Sequence, residues 1–260
     1  MKIATWNVNS LRIRLRHVQE WLKLNSIDVL CLQELKLSDE KFPIDELANS
    51  GYNAYFTGQK TYNGVAILIN QKSIGQATDV IHNLPNFQDD QKRLIAVTVA
   101  GIRIVCGYFP NGQSLESEKF IYKMKWLNAI TYWLFEEMKK YPRLALLGDY
   151  NIAPEDRDVH DPQKWEGQNL VSPQERKAFS RLENLGLHDA FRLFKQPEKT
   201  FSWWDYRMNA FRRNAGMRID HILLSQALTE VCIDCKVDRT PRTWEKPSDH
   251  APVITTLKYF

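Results

Sequence analysis

Short apolar runs separated by polar turns recur along the 260-residue chain, and this alternation is its most constraining feature. Runs of four to eight residues such as "DVLCLQE", "GVAILI" and "IRIVCGYF" are typical of buried β-strands. The pattern predicts strands near residues 2–9, 28–34, 64–69, 93–99, 102–109, 143–151, 219–224, 230–237 and 252–258. We therefore expect mixed sheets covered by helices.

Three segments have helical spacing instead. Apolar residues in 11–24 recur every three or four positions, as they do over about 115–140. A third helix is predicted near 173–186, ending at Gly186. The strands at 93–99 and 102–109 are joined by Ala100-Gly101, which indicates a hairpin. No repeat or linker interrupts the chain, so the prediction is one domain over residues 1–260.

Composition excludes several classes of protein. The N-terminus has no apolar core of a signal peptide, and no apolar run reaches the ~18–20 residues of a membrane span. The expected location is therefore the cytoplasm. "CIDC" (232–235) has no second pair to complete a zinc site and lies in a predicted strand, so buried thiols are favoured over metal or redox chemistry. The net charge of +4 permits an anionic partner but is weak evidence for one.

Polar residues follow these apolar runs where the strands end. A single residue of this kind is usually a cap or a turn former, and Asn7 could merely satisfy a backbone group. Several carboxylates in one place repel each other unless a cation lies among them. The strand-end positions are Asn7, Asn9, Glu34, Asp149, Asn151, Asp220, Asp249 and His250.

The residue types at these positions also select a chemistry. Oxygen ligands with at most one imidazole suit Mg²⁺ or Mn²⁺ rather than zinc. The sequence contains neither a GxSxG nucleophile elbow nor a Gly-rich phosphate loop. Metal-assisted hydrolysis by water is therefore predicted, and Mg²⁺ commonly binds carboxylates together with a substrate phosphate. A phosphoester is the expected substrate.

A set of longer motifs carries a family resemblance over nearly the whole chain. "WNVNSLR", "CLQELK", "GYFPNG", "LLGDYNIAPEDRDV", "FSWWDYR", "RIDHILLS" and "KPSDHAPV" occur in this order. Together they closely resemble the exonuclease III branch of the abasic-site endonucleases, within the endonuclease/exonuclease/phosphatase superfamily. The resemblance implies an α/β fold, a four-layered α/β sandwich of two mixed sheets packed face to face and flanked by helices.

The resemblance also implies roles for the strand-end residues. Glu34 matches the carboxylate that binds the catalytic Mg²⁺, for which Mn²⁺ could substitute, and Asn7 lies beside it. Asp149 matches the group that orients or deprotonates the attacking water. Asn151 matches the amide that steadies the same metal site.

The resemblance implies further roles in binding the phosphate and a second ion. His250 matches the residue that faces the scissile phosphate, and Asp249 one that could hold a second ion. Asp220 matches the carboxylate that supports His250, although a pair with Arg218 is an alternative. Tyr108 and Asn111 match phosphate contacts.

On the DNA side, Trp203 and Met217 match positions that line the pocket for a base-less sugar, with core packing as the alternative. Arg93 is a further candidate for phosphate contact. A basic stretch across 201–218 suits contact with the DNA backbone, although a solvated loop would look the same. Its arginines are Arg207, Arg212, Arg213 and Arg218.

The function implied is a Mg²⁺-dependent DNA repair nuclease. It would cut 5′ to abasic sites in double-stranded DNA and process blocked 3′ ends as a 3′-phosphatase, 3′-phosphodiesterase or 3′→5′ exonuclease, as a monomer and without a membrane. The alternatives are a lipid or inositol phosphatase of the same fold and an inactive nucleic-acid-binding protein. The sequence departs from the family at Asn9, where some relatives carry aspartate, at His221, and in the variable segment 160–175.

Overall fold

Two mixed six-stranded sheets pack face to face in the computed structural model, which describes residues 1–85 and 87–258. The first sheet has the order β11-β12-β1-β2-β4-β3, with β1 (Lys2–Asn7), β2 (Val29–Gln33), β3 (Tyr52–Thr57), β4 (Val65–Asn70), β11 (Cys232–Val237) and β12 (Val253–Leu257). The second has the order β5-β6-β7-β8-β10-β9, with β5 (Thr78–His82), β6 (Leu94–Val99), β7 (Ile102–Tyr108), β8 (Leu144–Asp149), β9 (Leu187–Asp189) and β10 (Asp220–Ser225).

Helices cover the outer faces of both sheets, so the chain forms four layers. The helices are α1 (Leu11–Asn25), α2 (Ile44–Asn49), α3 (Glu118–Lys140), α4 (Pro162–Trp165), α5 (Pro173–Glu183) and α6 (Gln226–Thr229). Helix α1 packs on the first sheet through Val18 and Leu22, and α3 and α5 pack on the second through residues such as Leu127 and Phe179. This arrangement confirms the predicted α/β sandwich.

The central strands are buried on both faces because one face meets the other sheet and the opposite face meets helices. Ile3 and Cys31 of the first sheet share one apolar core with Ile104 and Leu147 of the second. The strand bounds predicted from apolar runs are correct to within about two residues. The predicted hairpin is also present, with Ala100 and Gly101 at φ 49° and 72° between β6 and β7.

Three strands were not predicted: β3, β5 and β9. Strand β5 is an exposed edge strand with little apolar sequence, and β9 has only three residues. "CIDC" lies on β11 as predicted, and all four cysteines are free thiols. Within the described part of the chain, every helix is too short or too polar to cross a bilayer.

Strand pairing brings the polar strand ends together. The two parallel pairs, β1 with β2 and β7 with β8, place Asn7 opposite Gln33 and Tyr108 opposite Asp149. Strand β10 runs antiparallel to β8, so its first residue, Asp220, also lies opposite Asp149. The strand-end residues of both sheets therefore meet at one edge of the sandwich.

Candidate active site

A cavity of about 560 Å³ opens at this edge of the sandwich. Of the predicted residues, the following line it: Glu34, Tyr108, Asn111, Asp149, Asn151, Trp203, Asp249 and His250. Asn7 and Asp220 lie directly behind these side chains and contact them. The structure thus brings together residues that are up to 243 positions apart in the sequence, from Asn7 to His250.

Asn7 joins the two sheets at the cavity floor. Its Nδ2 donates to Glu34 Oε1 at 2.8 Å and to Asp149 Oδ2 at 2.9 Å, while its Oδ1 accepts from the Asn9 backbone N–H. The amide therefore holds the two carboxylates side by side and turns its own oxygen away from them. In this geometry the Asn7 amide positions the two carboxylates, and its predicted place at the metal stays a prediction.

Three side chains form a group with the spacing of a metal site. Glu34, Asp149 and His250 each present one potential ligand atom, and these atoms lie within 4.8 Å of one another. The Lys36 Nζ lies 2.9 Å from Glu34 Oε2 and so balances part of the negative charge. Two carboxylates in a largely buried setting suit a hard divalent cation, and the donor set fits Mg²⁺ or Mn²⁺.

Asp149 is almost fully buried, which makes its charge costly. Burial is the main reason that the pKa of its carboxyl is raised to about 7; His250 opposes the rise and the Asp220 carboxylate adds to it. Asp149 Oδ1 also accepts from the Asn151 N–H at 2.9 Å. A carboxylate with a pKa near neutrality can take a proton from water and release it again.

His250 forms the opposite side of this floor. Its Nδ1 lies 2.9 Å from Asp220 Oδ2, and its Nε2 points toward Asp149 Oδ2 at 3.8 Å. Ser202 Oγ donates to the same Asp220 oxygen at 2.7 Å. Burial disfavours the imidazolium, but the charges of Asp220 and Asp149 outweigh it and raise the pKa of His250 to about 10. The raised pKa favours the imidazolium at neutral pH, in which both ring nitrogens donate hydrogen bonds, and the predicted place of His250 at the metal stays a prediction. The alternative pairing of Asp220 with Arg218 is not formed.

Asp249 accepts hydrogen bonds on both of its oxygens. Trp203 Nε1 donates to Oδ2 at 3.0 Å, and Asn9 Nδ2 donates to Oδ1 at 2.9 Å. Although burial opposes it, His250 and these two donors lower the pKa of the Asp249 carboxyl. The carboxylate thus orients the indole ring of Trp203, which lies beside His250 through a β-bridge. A second ion at Asp249 remains a prediction.

The amides and the phenol complete the polar half of the cavity. Asn111 Nδ2 donates to Asn151 Oδ1 at 2.8 Å, and Asn151 Nδ2 donates to the Phe109 carbonyl at 3.0 Å. Burial and the charge of Glu34 hold the pKa of Tyr108 well above its ordinary value, so its hydroxyl stays protonated. Arg93 stacks over the Tyr108 ring at 4.9 Å and lines an adjoining groove.

The apolar half of the cavity differs from the predicted one. Trp203 is half-buried and lines it, whereas Met217 is fully buried behind it and pairs with the Trp203 backbone. Leu170 and Ile219 complete the wall and were not predicted, because nothing in their local sequence distinguishes them from core residues. Trp165, on α4, also lines the cavity.

The basic stretch divides into exposed and buried arginines. Arg207 is exposed at 84% of its side chain and pairs with Asp205, and Arg212 and Arg213 are exposed as well. The prediction was wrong for Arg218, whose guanidinium is 1% exposed and pairs with Asp158 and Asp189. Arg218 is therefore an internal ion-pair residue that cannot contact DNA in this conformation.

His221 extends this internal network toward the active site. Its Nδ1 lies 3.0 Å from Arg218 Nη1, and its Nε2 lies 2.9 Å from the Ile152 carbonyl. A guanidinium can only donate, so Nδ1 accepts and Nε2–H donates. Burial, reinforced by the charge of Arg218, lowers the pKa of His221 to about 3. The neutral ring joins β10 to the turn that follows Asp149.

This network predicts a specific loss of stability in acid. The unfolded chain binds the His221 proton near pH 6.5 and the folded chain only near pH 3, so the stability from the neutral ring is complete above 6.5 and is lost as pH falls. Between pH 7 and pH 4, the free energy of unfolding of the native protein should fall roughly 3 kcal/mol further than that of His221→Phe. Urea denaturation at each pH measures this difference. Parallel stability curves for the two proteins would show that His221 is not held neutral.

Comparison with known proteins agrees with this geometry. Residues 4–250 match the model of the "Endonuclease/Exonuclease/phosphatase family". The chain is 36% identical to an exodeoxyribonuclease III of Haemophilus influenzae, over 99% of this chain and 100% of the relative.

Several solved structures, among them the following two, match the whole chain and are themselves matched in full. One is a 3′ phosphatase, NExo, from Neisseria, bound to a product DNA hairpin, with a TM-score of 0.96 and 45% identity. The other is an AP endonuclease from Archaeoglobus fulgidus, with a TM-score of 0.94 and 38% identity. These similarities confirm the resemblance seen in the sequence motifs. The chain therefore belongs to the endonuclease/exonuclease/phosphatase family and, within it, to the exonuclease III-like abasic-site endonucleases.

Proposed function

We propose that this metal-dependent DNA repair nuclease hydrolyses the phosphodiester bond 5′ to an abasic site in double-stranded DNA and leaves a 3′-hydroxyl, with Mg²⁺ as its cation. The observation that carries the proposal is the cavity floor. There a buried carboxyl group with a pKa near 7, Asp149, lies 3.8 Å from the imidazole of His250 and beside a second carboxylate, Glu34. The same proposal takes residues 1–260 as one domain that acts as a cytoplasmic monomer.

Each group on the floor has a part in the proposed reaction. Asp149 accepts a proton from the attacking water as the water oxygen bonds to phosphorus and the P–O3′ bond breaks, and the departing 3′ oxygen takes a proton from solvent to become the 3′-hydroxyl. His250, held by Asp220, donates to a phosphate oxygen and stabilises the charge that develops there. Tyr108 and the Asn111 amide offer further donors to the phosphate. Glu34 and Asp149 would hold the Mg²⁺, which when bound neutralises phosphate charge and polarises the P–O bond.

In this proposal, the apolar wall of the cavity distinguishes an abasic sugar from a normal nucleotide. A deoxyribose without its base is small, and extruding it costs least because no base is stacked or paired. The wall of Trp203, Leu170 and Ile219 offers an apolar surface to such a sugar. Gly167 also lines the cavity and adds no side chain. A sugar that still carries a base would have to displace this wall.

Processing of blocked 3′ ends fits the same cavity. A 3′-phosphate presents the same phosphoryl group to Asp149 and His250, and it needs no extruded base. The similar Neisseria structure is that of a 3′ phosphatase with product DNA. We extend 3′-phosphatase, 3′-phosphodiesterase and 3′→5′ exonuclease activity to this chain as part of the proposal, with Mn²⁺ able to replace Mg²⁺.

Trp203→Ala should reduce the ratio of cleavage rates on abasic and intact duplexes by roughly 10–200-fold, the effect of altering one apolar contact in a specificity pocket. Trp203→Phe is the matched control, because it keeps a ring in the wall but loses the N–H that donates to Asp249. The phenylalanine variant should keep most of the ratio. Single-turnover rates on both duplexes at fixed salt measure it.

Arg207→Ala serves as a second control. Its side chain is outside the cavity, so it should weaken binding to both duplexes alike and reduce the salt slope by about one. An unchanged ratio for Trp203→Ala would remove that ring from substrate selection.

A further inference from the structure

An ion pair that is closed to solvent lies beneath the active-site cavity. Lys123 on α3 and Glu175 on α5 are both 0% exposed, and their charged groups are in direct contact. Neither residue lines the cavity, and neither carries a role in the reaction described above. The other hydrogen bonds of the two charged groups are to residues that line the cavity, or to Ser172, which lies two positions after the lining residue Leu170.

Lys123 holds the polar side of the cavity. Its Nζ donates to the Asn151 carbonyl at 2.7 Å and to the Asn111 carbonyl at 3.1 Å. The side chains of these two residues hydrogen-bond to each other, and the Asn151 N–H donates to Asp149. One ammonium group therefore fixes the loops that follow β7 and β8 relative to each other.

Glu175 holds the apolar side. Its Oε1 accepts from the Leu170 N–H at 3.1 Å, and its Oε2 accepts from the Ser172 N–H and hydroxyl at 3.1 and 2.6 Å. Leu170 belongs to the apolar wall and Ser172 caps α5. The carboxylate thus fixes the segment that forms this wall, and the ion pair links the wall to Asn151.

Stability alone does not account for such a pair. Removing two charges from water costs several kcal/mol each, and apolar residues of similar volume are often as stable or more stable. What the charged pair adds is a set of directed hydrogen bonds to four backbone groups and a hydroxyl. Displacements of about 1 Å can cost about 10²-fold in rate where reacting groups must be aligned.

We propose that Lys123 and Glu175 form one positioning unit that aligns the Asn111 and Asn151 side chains with Asp149 and sets the Leu170 wall against them. The unit touches neither substrate nor metal and acts through these loops. This role rests on the proposed reaction in the cavity.

The test is the double variant Lys123→Met/Glu175→Gln, which removes both charges and keeps similar volumes. We expect kcat on the abasic duplex to fall by about 10²-fold. KM should change much less, because the exposed arginines that we expect to bind the DNA backbone are unaltered. Both constants are measured well below the melting temperature, with the folded fraction checked by circular dichroism.

The chain offers a matched control for general loosening. Arg103 and Glu137 form another buried ion pair, 0% and 3% exposed, between β7 and the same helix α3 but at the opposite end from the cavity. Arg103→Met/Glu137→Gln should lower the melting temperature and leave kcat of the folded protein unchanged. Equal kcat losses in the two double variants would overturn the proposal.

A third comparison tests whether the unit acts through Asn151. In an Asn151→Ala background, the double variant should cost less than it does in the native background, because the side chain that it aligns is already absent. Additive losses would contradict the assignment. If the double variant does not fold, Glu175→Gln alone is compared with native protein, and an unchanged kcat would overturn the proposal.

Failure of this inference can be distinguished from failure of the proposed function. If native protein cuts the abasic duplex and Asp149→Asn does not, the reaction stands; a Lys123 and Glu175 variant with native kcat then refutes only the positioning role. If native protein does not cut that duplex, the proposed function has failed first.

Discussion

Asp149→Asn should lower kcat on an abasic duplex by about 10²–10⁴-fold, the usual effect of losing a positioned base. The substitution keeps the size of the side chain and removes its charge. It also places an amide NH₂ among groups that now donate to the carboxylate, since Asn7 Nδ2 donates to one oxygen and the Asn151 N–H to the other. The asparagine can therefore neither accept a proton nor satisfy all its neighbours.

Binding separates this effect from a general loss of the site. The Asp149 carboxyl gives no attraction to phosphates and repels them when it is ionised, so duplex affinity should be preserved or slightly increased. Single-turnover cleavage at saturating Mg²⁺ gives the rate, and fluorescence anisotropy of labelled duplex gives Kd. Near-native turnover by Asp149→Asn would mean that another group activates the water.

Glu34→Gln should raise the Mg²⁺ concentration needed for half-maximal cleavage and lower kcat/KM at limiting Mg²⁺ by about 10²-fold or more, since metal stabilisation of phosphate charge is worth several kcal/mol. Glutamine can still accept from Asn7, so the fold of the floor is kept. High Mg²⁺ should restore part of the rate. Glu46→Gln, on the exposed face of α2, is the control and should show the native Mg²⁺ dependence. An identical titration for Glu34→Gln would exclude this carboxylate from the metal site.

The apolar runs predicted mixed sheets covered by helices, and the family motifs supplied the four-layered architecture and the candidate residues of the polar cavity floor. Asn7, Glu34, Asp149 and Asp220 each follow or begin an apolar run, and strand ends are where side chains can leave a core. The two parallel strand pairs then bring these ends to one edge. The residues that the motifs placed at strand ends are therefore the residues that strand pairing brings together in the structure.

The apolar wall and the ion-pair network could not be predicted in the same way. Arginine is rarely buried without a partner, and the partner of Arg218, Asp158, is 60 residues away. Met217 lies outside the named strands and forms isolated β-bridges. Its side chain is buried because Leu170 and Val159 pack around it. Lys123 lies on the buried face of α3 between Phe120 and Leu127, where an apolar residue would be expected. In each case the partners that surround the side chain are distant in the sequence, so local periodicity does not reveal them.

Metal-dependent cleavage 5′ to an abasic site is tested most directly with a 5′-labelled duplex that contains one abasic analogue. The duplex is incubated with Mg²⁺, with EDTA, and with EDTA followed by excess Mg²⁺. We expect one product in Mg²⁺, cut immediately 5′ to the analogue and ending in a 3′-hydroxyl that a polymerase extends. EDTA should abolish this product and added Mg²⁺ should restore it. Cleavage that persists in EDTA, or an intact abasic duplex in Mg²⁺ with protein that is folded, would contradict the account.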